Sequence, residues 1–180
     1  MIIKSDKVIL RPIKDSDIQN YIHWTNVETE WKKWDAPWEW ESEKDDMEFL
    51  DRIKNLLGKA PSDSRLMIQT HDGIHLGSVN SYFIENNREK LAVGIGILPV
   101  AERRKGYAFS ALTAYMKHHF KTRDAIYTQT WAGNYRMIAL AEKIGFQEYR
   151  RIKDLRVIDG KTYDALTFKI TKEEFYKKID

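Results

Sequence analysis

The spacing of apolar residues along the chain changes several times, and each change marks a structural element. Residues 7–13 (Lys-Val-Ile-Leu-Arg-Pro-Ile) have the short, branched, apolar character of a strand, and Ser16-Asp17-Ile18-Gln19 has the spacing of a capping box opening a helix through Tyr21, Ile22 and Trp24. A linker dense in tryptophan follows, with Trp31, Trp34, Trp38 and Trp40 around Asp35-Ala36-Pro37. Ser42 then caps a second helix whose apolar positions Met47, Phe49, Leu50, Ile53, Leu56 and Leu57 fit a 3.6-residue period, with Gly58 expected to end it. Strands at 64–70, 74–84 and 91–98, joined by turns at Asp72-Gly73 and Asn86-Asn87, read as an antiparallel meander.

Beyond the meander, a helix at 107–120 leads to a strand at 125–131. A helical crossover of that kind makes strands 91–98 and 125–131 parallel. A helix from Asn134 to Ile144 stops at Gly145, strands 146–158 and 162–170 form a hairpin over Asp159-Gly160, and residues 171–179 close with a short helix. The expectation is an α/β (α+β) fold with a mixed, mostly antiparallel seven-stranded sheet flanked by helices. With 180 residues and neither a repeat nor a linker, residues 1–180 read as one domain.

Composition narrows the class. The chain is 42% hydrophobic and 32% charged, which is neither disordered nor membranous. No apolar run reaches the roughly 20 residues that span a bilayer, and Met1-Ile2-Ile3-Lys4-Ser5-Asp6 lacks a signal-peptide layout, so the expected location is cytoplasmic, away from membranes. The absence of cysteine removes disulfides, thiolate metal sites and a cysteinyl acyl intermediate. The five histidines show no metal-ligand spacing, and no metal is expected. The net charge of +3 is unevenly spread: residues 28–51 hold ten carboxylates against three lysines. That asymmetry suits an anionic cofactor in one half and a cationic partner in the other.

Candidate chemistry concentrates at residues 91–120. An apolar strand ends at Leu98-Pro99, and Arg103-Arg104-Lys105-Gly106 then leads straight into the helix Tyr107-Ala108-Phe109-Ser110. First-turn N–H groups have no intrahelical acceptor, and the helix dipole adds about half a positive charge, so a strand, a basic glycine turn and a helix start together make an anion site. Gly106 lets the backbone approach a phosphate closely. The segment matches neither a Walker loop nor the three-glycine dinucleotide fingerprint.

Arg-x-x-Gly-x-Ala after an apolar strand resembles the acyl-CoA signature of the GCN5-related N-acetyltransferases (GNAT). Asn134 to Phe146, ending Glu-Lys-Ile-Gly-Phe, is similar to another element of that family, and the order of elements resembles its fold over nearly the whole chain. Leu10-Arg11-Pro12 and Trp24-Thr25-Asn26 further resemble the RimJ/RimL branch, which acts on protein N-terminal amines, polyamines and small amines. The resemblance implies acetyl-CoA as cofactor, held in a splayed cleft between the fourth and fifth strands. Ile97 and Leu98 would offer backbone bonds to the pantetheine arm, Arg103, Arg104, Lys105, Gly106, Tyr107, Ala108, Phe109 and Ser110 would wrap the pyrophosphate, and Asn134 and Lys143 would reach the cofactor. Three departures bear on catalysis: Ala141 stands where many relatives place an acid tyrosine, Met137 where this branch often has serine, and the strand before the phosphate loop lacks the glutamate some relatives use as base.

An amine attacks a thioester only when neutral. A lysine-type amine near pKa 10.4 is neutral about once in 2,500 molecules at pH 7, so a base or desolvation is needed. The acidic aromatic linker is where a base is expected, with Asp35, Glu39 and Glu41 the leading carboxylates, and Asn80 and Ser81 positioned to orient the amine or its water. Trp34 and Trp38, flanking Pro37, are the indoles expected to wall a cationic acceptor, while the other tryptophans pack helices on the sheet. The leading reading is an acetyl-CoA-dependent N-acetyltransferase acting on a small-molecule or peptide amine. The alternative is a non-catalytic acyl-CoA binding or sensing domain. Nucleic-acid binding is not expected, because the aromatics cluster in acidic rather than basic sequence, and a homodimer is expected from the exposed edges of such sheets.

Overall fold

In the computed structural model, residues 1–60 and 62–179 are described, and their strands make one eight-stranded sheet of order β1-β2-β3-β4-β5-β6-β8-β7. The strands are β1 (Ile3–Lys4), β2 (Val8–Arg11), β3 (Arg65–Thr70), β4 (His75–Phe83), β5 (Leu91–Ile97), β6 (Ala125–Trp131), β7 (Gln147–Ile158) and β8 (Lys161–Thr171). Every neighbouring pair is antiparallel except β5 and β6, which run parallel across the helical crossover as the sequence implies. The eighth strand is β1, where seven were expected. Two residues are too few to show alternation, and β1 forms because the Ser5 turn, closed by a 2.9 Å bond from Ser5 N–H to Val8 O, folds Ile3 back onto Leu10.

The helices are α1 (Asp15–Asn26), α2 (Glu43–Lys54), α3 (Tyr107–His119), α4 (Tyr135–Ile144) and α5 (Lys172–Ile179), with 3-10 turns at Thr29–Lys33 and Pro37–Glu39 between α1 and α2. On one face of the sheet, Leu112, Tyr115, Met116 and Phe120 around α3 pack with Phe175 of α5 onto Leu10, Leu66, Ile68, Val79, Val93 and Ile126. On the other, Tyr21, Trp24, Trp31 and Ile53 from α1, α2 and the linker cover Met67 and Leu98. Alternation along β3 sends Leu66 and Ile68 to the first face and Met67 to the second. No described helix is long and apolar enough to cross a membrane.

Two helix boundaries differ from expectation. Helix α1 is capped at Lys14 rather than Ser16, because Asp17 is the third helical residue and its carboxylate accepts the Lys14 N–H at 2.8 Å. Helix α2 starts at Ser42 as expected, with Ser42 N–H donating to Asp45 at 2.9 Å, but it ends at Lys54, short of Gly58. By contrast Gly145 stops α4 where expected: at φ 108° its N–H turns back to Ala141 O at 3.1 Å.

Asp17 also grips both Nη groups of buried Arg11, at 2.7 and 2.8 Å. Burial opposes its ionisation, but the Arg11 bonds, nearby His75 and the Lys14 N–H outweigh that cost and hold its carboxyl below the usual range. His75 accepts from Asn20 at 3.2 Å on Nδ1 and donates from Nε2 to Gly77 O at 3.1 Å, which keeps the ring neutral, and burial lowers its pKa to about 4. His119, against Tyr115 on α3, is likewise lowered to about 4 by burial, and its Nε2 is buried with no hydrogen-bond partner among the described residues. His118 bonds Asp63 at 3.0 Å, so the adjacent histidines and Asp63 do come together at the far end of α3, a cluster their spacing did not suggest.

These two histidines set the acid response of the fold. Both fold neutral and titrate near pH 4, whereas in the unfolded chain they protonate near 6.5, so each costs on the order of 3 kcal/mol of stability as pH falls from 6.5 to 4. Asp17 adds its loss only below the ordinary carboxylate range. Urea midpoints are expected to fall mainly between pH 6.5 and 4, with His119→Leu flattening about half of that slope; an unchanged slope in the variant contradicts the assignment.

Candidate active site

Strand β5 pairs with β4 along its whole length, from Leu91 to Ile97, and β6 pairs with β8 from Ala125 to Trp131. Between β5 and β6, however, only Ala92 and Tyr127 are in register, reinforced by the Thr128 hydroxyl donating to Val93 O at 2.8 Å. Past that point the strands part. Leu98 N–H donates to Leu76 O at 2.9 Å, so ladder alternation aims the backbone of Gly94, Gly96 and Leu98 at β4 and that of Ile95 and Ile97 into the gap. Ile97 therefore faces the cleft as expected. Leu98 does not, and Ile95 occupies the position assigned to it.

The gap leads to the start of α3. Gly106 is its N-cap at φ 85°, a left-handed conformation that side-chain-bearing residues rarely adopt. No side chain caps this end and no acidic residue lies in its first turn. Ser110 N–H makes a bond back to Gly106 O at 3.1 Å, leaving the N–H groups of Tyr107, Ala108 and Phe109 without intrahelical acceptors. Arg104 is exposed beside them, Lys105 pairs with Glu102 at 3.0 Å, and Lys143 Nζ sits 4.8 Å above the Phe109 ring.

Two residues expected on the phosphate loop lie elsewhere. Arg103 turns back under the loop, donating to Ile97 O at 3.1 Å, to Leu98 O at 3.0 Å and to the Glu30 carboxylate. Ser110 is buried on the opposite side of α3, where its hydroxyl meets Asp6 at 2.5 Å and Ser5 at 2.8 Å. The first clamps the loop to the end of β5, and the second ties α3 to the turn after β1.

The aromatic linker forms the far wall. Trp31 is core, its indole N–H donating to Trp24 O at 2.8 Å, and Trp40 packs edge-to-face against it and Phe49. Trp34 spans the cleft mouth: its carbonyl accepts both Trp131 Nε1 and Asn134 Nδ2, each at 2.9 Å, and its indole N–H donates to Glu30 at 2.8 Å. Asn134 Oδ1 meanwhile caps α4 by accepting Met137 N–H at 3.1 Å. The indole faces already carry the protein's own guanidinium groups, Arg136 over Trp34 at 4.0 Å and Arg156 over Trp38 at 4.2 Å, where a substrate cation was expected. Burial resists ionisation of Glu30, but Trp34, Arg103 and Arg136 together hold its carboxyl below the usual range.

At the floor, Ser78, Asn80 and Tyr82 alternate along one face of β4, beside Arg65 of β3, the cross-strand partner of Asn80. Asn80 lies over Gly94, where an added Cβ would come within 2.9 Å of its Oδ1. Asp35 and Glu39 descend from the linker into the same cleft of about 1570 Å³. Asp35 reaches solvent along the cleft but is ringed by protein. That desolvation, with the Glu39 carboxylate second, pushes its carboxyl above the usual range, and Arg65 pulls it partly back. Burial and then Asp35 push Tyr82 up to about 12. Ser81 and Glu41 are not brought here: Ser81 is one residue out of phase and faces the α3 side, and Glu41 is exposed outside the cleft. Tyr82 and Arg65 were missed, although a period-two reading through Asn80 selects Ser78 and Tyr82.

A family model described as "Acetyltransferase (GNAT) domain" matches residues 7–147. The chain belongs to that family. Solved structures agree on the fold of this GNAT protein. A GNAT-family acetyltransferase from Bacillus anthracis superposes with a TM-score of 0.76 at 22% identity, covering 97% of this chain and 100% of the other. Spermidine N-acetyltransferase from Vibrio cholerae, in complex with CoA and spermine, gives 0.71 at 18% identity over 94% and 98%. RimL, a ribosomal L7/L12 alpha-N-protein acetyltransferase in complex with coenzyme A, gives 0.72 at 16% over 95% and 98%. No curated protein matches the chain in sequence.

In this GNAT chain Asn134 holds both the α4 start and the Trp34 strap. Asn134→Ala is expected to lower stability by about 0.5–2 kcal/mol in chemical denaturation and to loosen the strap, read as faster amide exchange around Trp34. Unchanged exchange at that loop contradicts the second role.

Proposed function

We propose that this GNAT protein transfers an acetyl group from acetyl-CoA to a primary amine by direct attack on the thioester. The observation that carries this reading is the uncapped start of α3 next to the bare β6-facing edge of β5. The residues fit the cofactor: Tyr107, Ala108 and Phe109 N–H groups with Arg104 for the pyrophosphate, Ile95 and Ile97 for the amide-rich pantetheine arm lying along β5 as an added strand, and Lys143 near the α4 side. Bound there, acetyl-CoA supplies an activated acetyl thioester whose thiol, with a pKa near 8.5, departs without a strong acid. That tolerance accommodates Ala141, which is buried, and Met137, which lines the cleft without a hydroxyl.

In this reading Asp35 takes the proton from the amine, directly or through a water. A carboxylate raised above its usual range is a better base, and Glu39 supplies part of that rise. Asn80 orients the amine from the floor, and a β5 N–H turned into the gap and not taken by the pantetheine arm is the donor available to negative charge on the carbonyl oxygen. Leu10-Arg11-Pro12 and the likeness to RimL support a RimJ/RimL-like branch. For the homodimer the support is β7, a twelve-residue edge strand exposing Leu155 and Val157, and light scattering in solution reads the copy number.

Calorimetric titration tests the cofactor half. Gly106→Val forces a β-branched residue to φ 85° and is expected to weaken CoA binding about tenfold or more in a folded variant; unchanged affinity overturns the phosphate assignment. Thiol release with an amine panel tests the chemistry. Asp35→Asn is expected to cut kcat/KM by about 10²- to 10⁴-fold, and Glu39→Gln, by removing a like charge, to move the acid limb of the rate profile to lower pH. CoA binding without thiol release across the panel instead supports the binding or sensing domain.

A further inference from the structure

Four half-buried arginines line the cleft, and among the described residues two of them, Arg103 and Arg136, are paired with a carboxylate while Arg65 and Arg156 are not. Arg103 and Arg136 share Glu30, and Arg150 lies 3.6 Å from Glu85. Arg65 has no carboxylate within 4 Å among the described residues; its one side-chain bond runs from Nη1 to Ser78 Oγ at 3.1 Å. A guanidinium carries five N–H donors in a planar fork, so most of this fork faces the cleft unmatched. Its cross-strand partner is Asn80, which puts it on the floor beside Ser78, Asn80 and Tyr82, the wall opposite Asp35 and Glu39. Arg156, the other half-buried arginine without a carboxylate, is stacked on Trp38, and the remaining unpaired cations of the lining, Arg52, Lys59, Arg104 and Lys143, are exposed.

This charge pattern argues against a simple polycation as acceptor. The aromatic walls that would receive its ammonium groups are covered by Arg136 and Arg156, and a further ammonium would meet Arg65 on the floor. A molecule with both an amine and an oxyanion meets complementary groups at both ends.

Resting on the acyl-transfer reading above, we infer that the acceptor amine also carries an oxyanion, a carboxylate or a phosphate, seated on the open fork of Arg65 while Asp35 and Glu39 face the amine. The fork supplies two parallel N–H bonds to such a group, and the Ser78 hydroxyl holds its plane. The electrostatic influence of Arg65 on Asp35 agrees with their sharing one chamber.

The test is a paired acceptor panel with acetyl-CoA, followed by thiol release: alanine, glutamate and phenylalanine against their amides, O-phosphoethanolamine against ethanolamine, and spermidine. The expected result is that at least one oxyanion-bearing amine exceeds its neutral partner in kcat/KM by about 10- to 100-fold, the amino acids and the phosphoamine telling which oxyanion is used. Arg65→Gln is expected to erase that ratio through KM while CoA affinity stays unchanged, and Arg65→Lys to restore part of it. Turnover confined to spermidine or the neutral amines, no turnover of any oxyanion-bearing amine, or a ratio that survives Arg65→Gln overturns the inference. Thiol release with the wrong preference leaves acyl transfer standing, whereas failure to bind CoA at all removes the acyl-transfer reading itself.

Discussion

The parting of β5 from β6 after Ala92 and Tyr127 is the constraint on which the rest of the structure depends. Each strand is fully paired on its other side, so each is rigid as it diverges, and the gap is a fixed wedge rather than a loose seam. The wedge turns the polar edge of Ile95 and Ile97 toward open space inside a sheet. An edge with unpaired backbone groups invites a partner, and here Arg103 already holds the Ile97 carbonyl, so the Ile97 N–H and the backbone groups of Ile95 are what the wedge presents. Gly94 and Gly96 keep the same stretch of β5 bare on its linker-facing side, which widens the chamber over Asn80.

A wedge by itself does not make a site; it must be closed at both ends. At one end Arg103 binds the last carbonyls of β5 and so fixes how α3 presents its free N–H groups. At the other, the Trp34 carbonyl is held by Trp131 from β6 and Asn134 from the start of α4. Glu30 links the two, paired with Arg103 and Arg136 and bonded to the Trp34 indole. Charges that look like ligands in the sequence thus serve as struts, and of the carboxylates left facing the chamber, Glu39 adds to the burial that holds Asp35 toward its protonated state.

The elements were legible where local chemistry decides them. The start of α3 at Gly106, the N-cap Asn134 and the stop at Gly145 depend on residues within one turn, and all three read directly. What failed to read depends on distant partners or on phase. Arg103 belongs to Glu30, 73 residues away, and Trp34 to Trp131, 97 residues away, so no window of sequence reveals either. Ser81 and Tyr82 are adjacent, and a one-residue step along a strand crosses to the other face. Strand β1 has only two residues, and the α1 cap went two residues astray because Asp17 reaches back to a lysine backbone.

The most direct test of the central claim is amide proton exchange, residue by residue, with and without coenzyme A. Slowed exchange and shifted resonances at Ile95 and Ile97 on β5 and at Tyr107, Ala108 and Phe109 on α3, with Leu98 unaffected, is the predicted result. Saturating binding that leaves those five amides unchanged would contradict it.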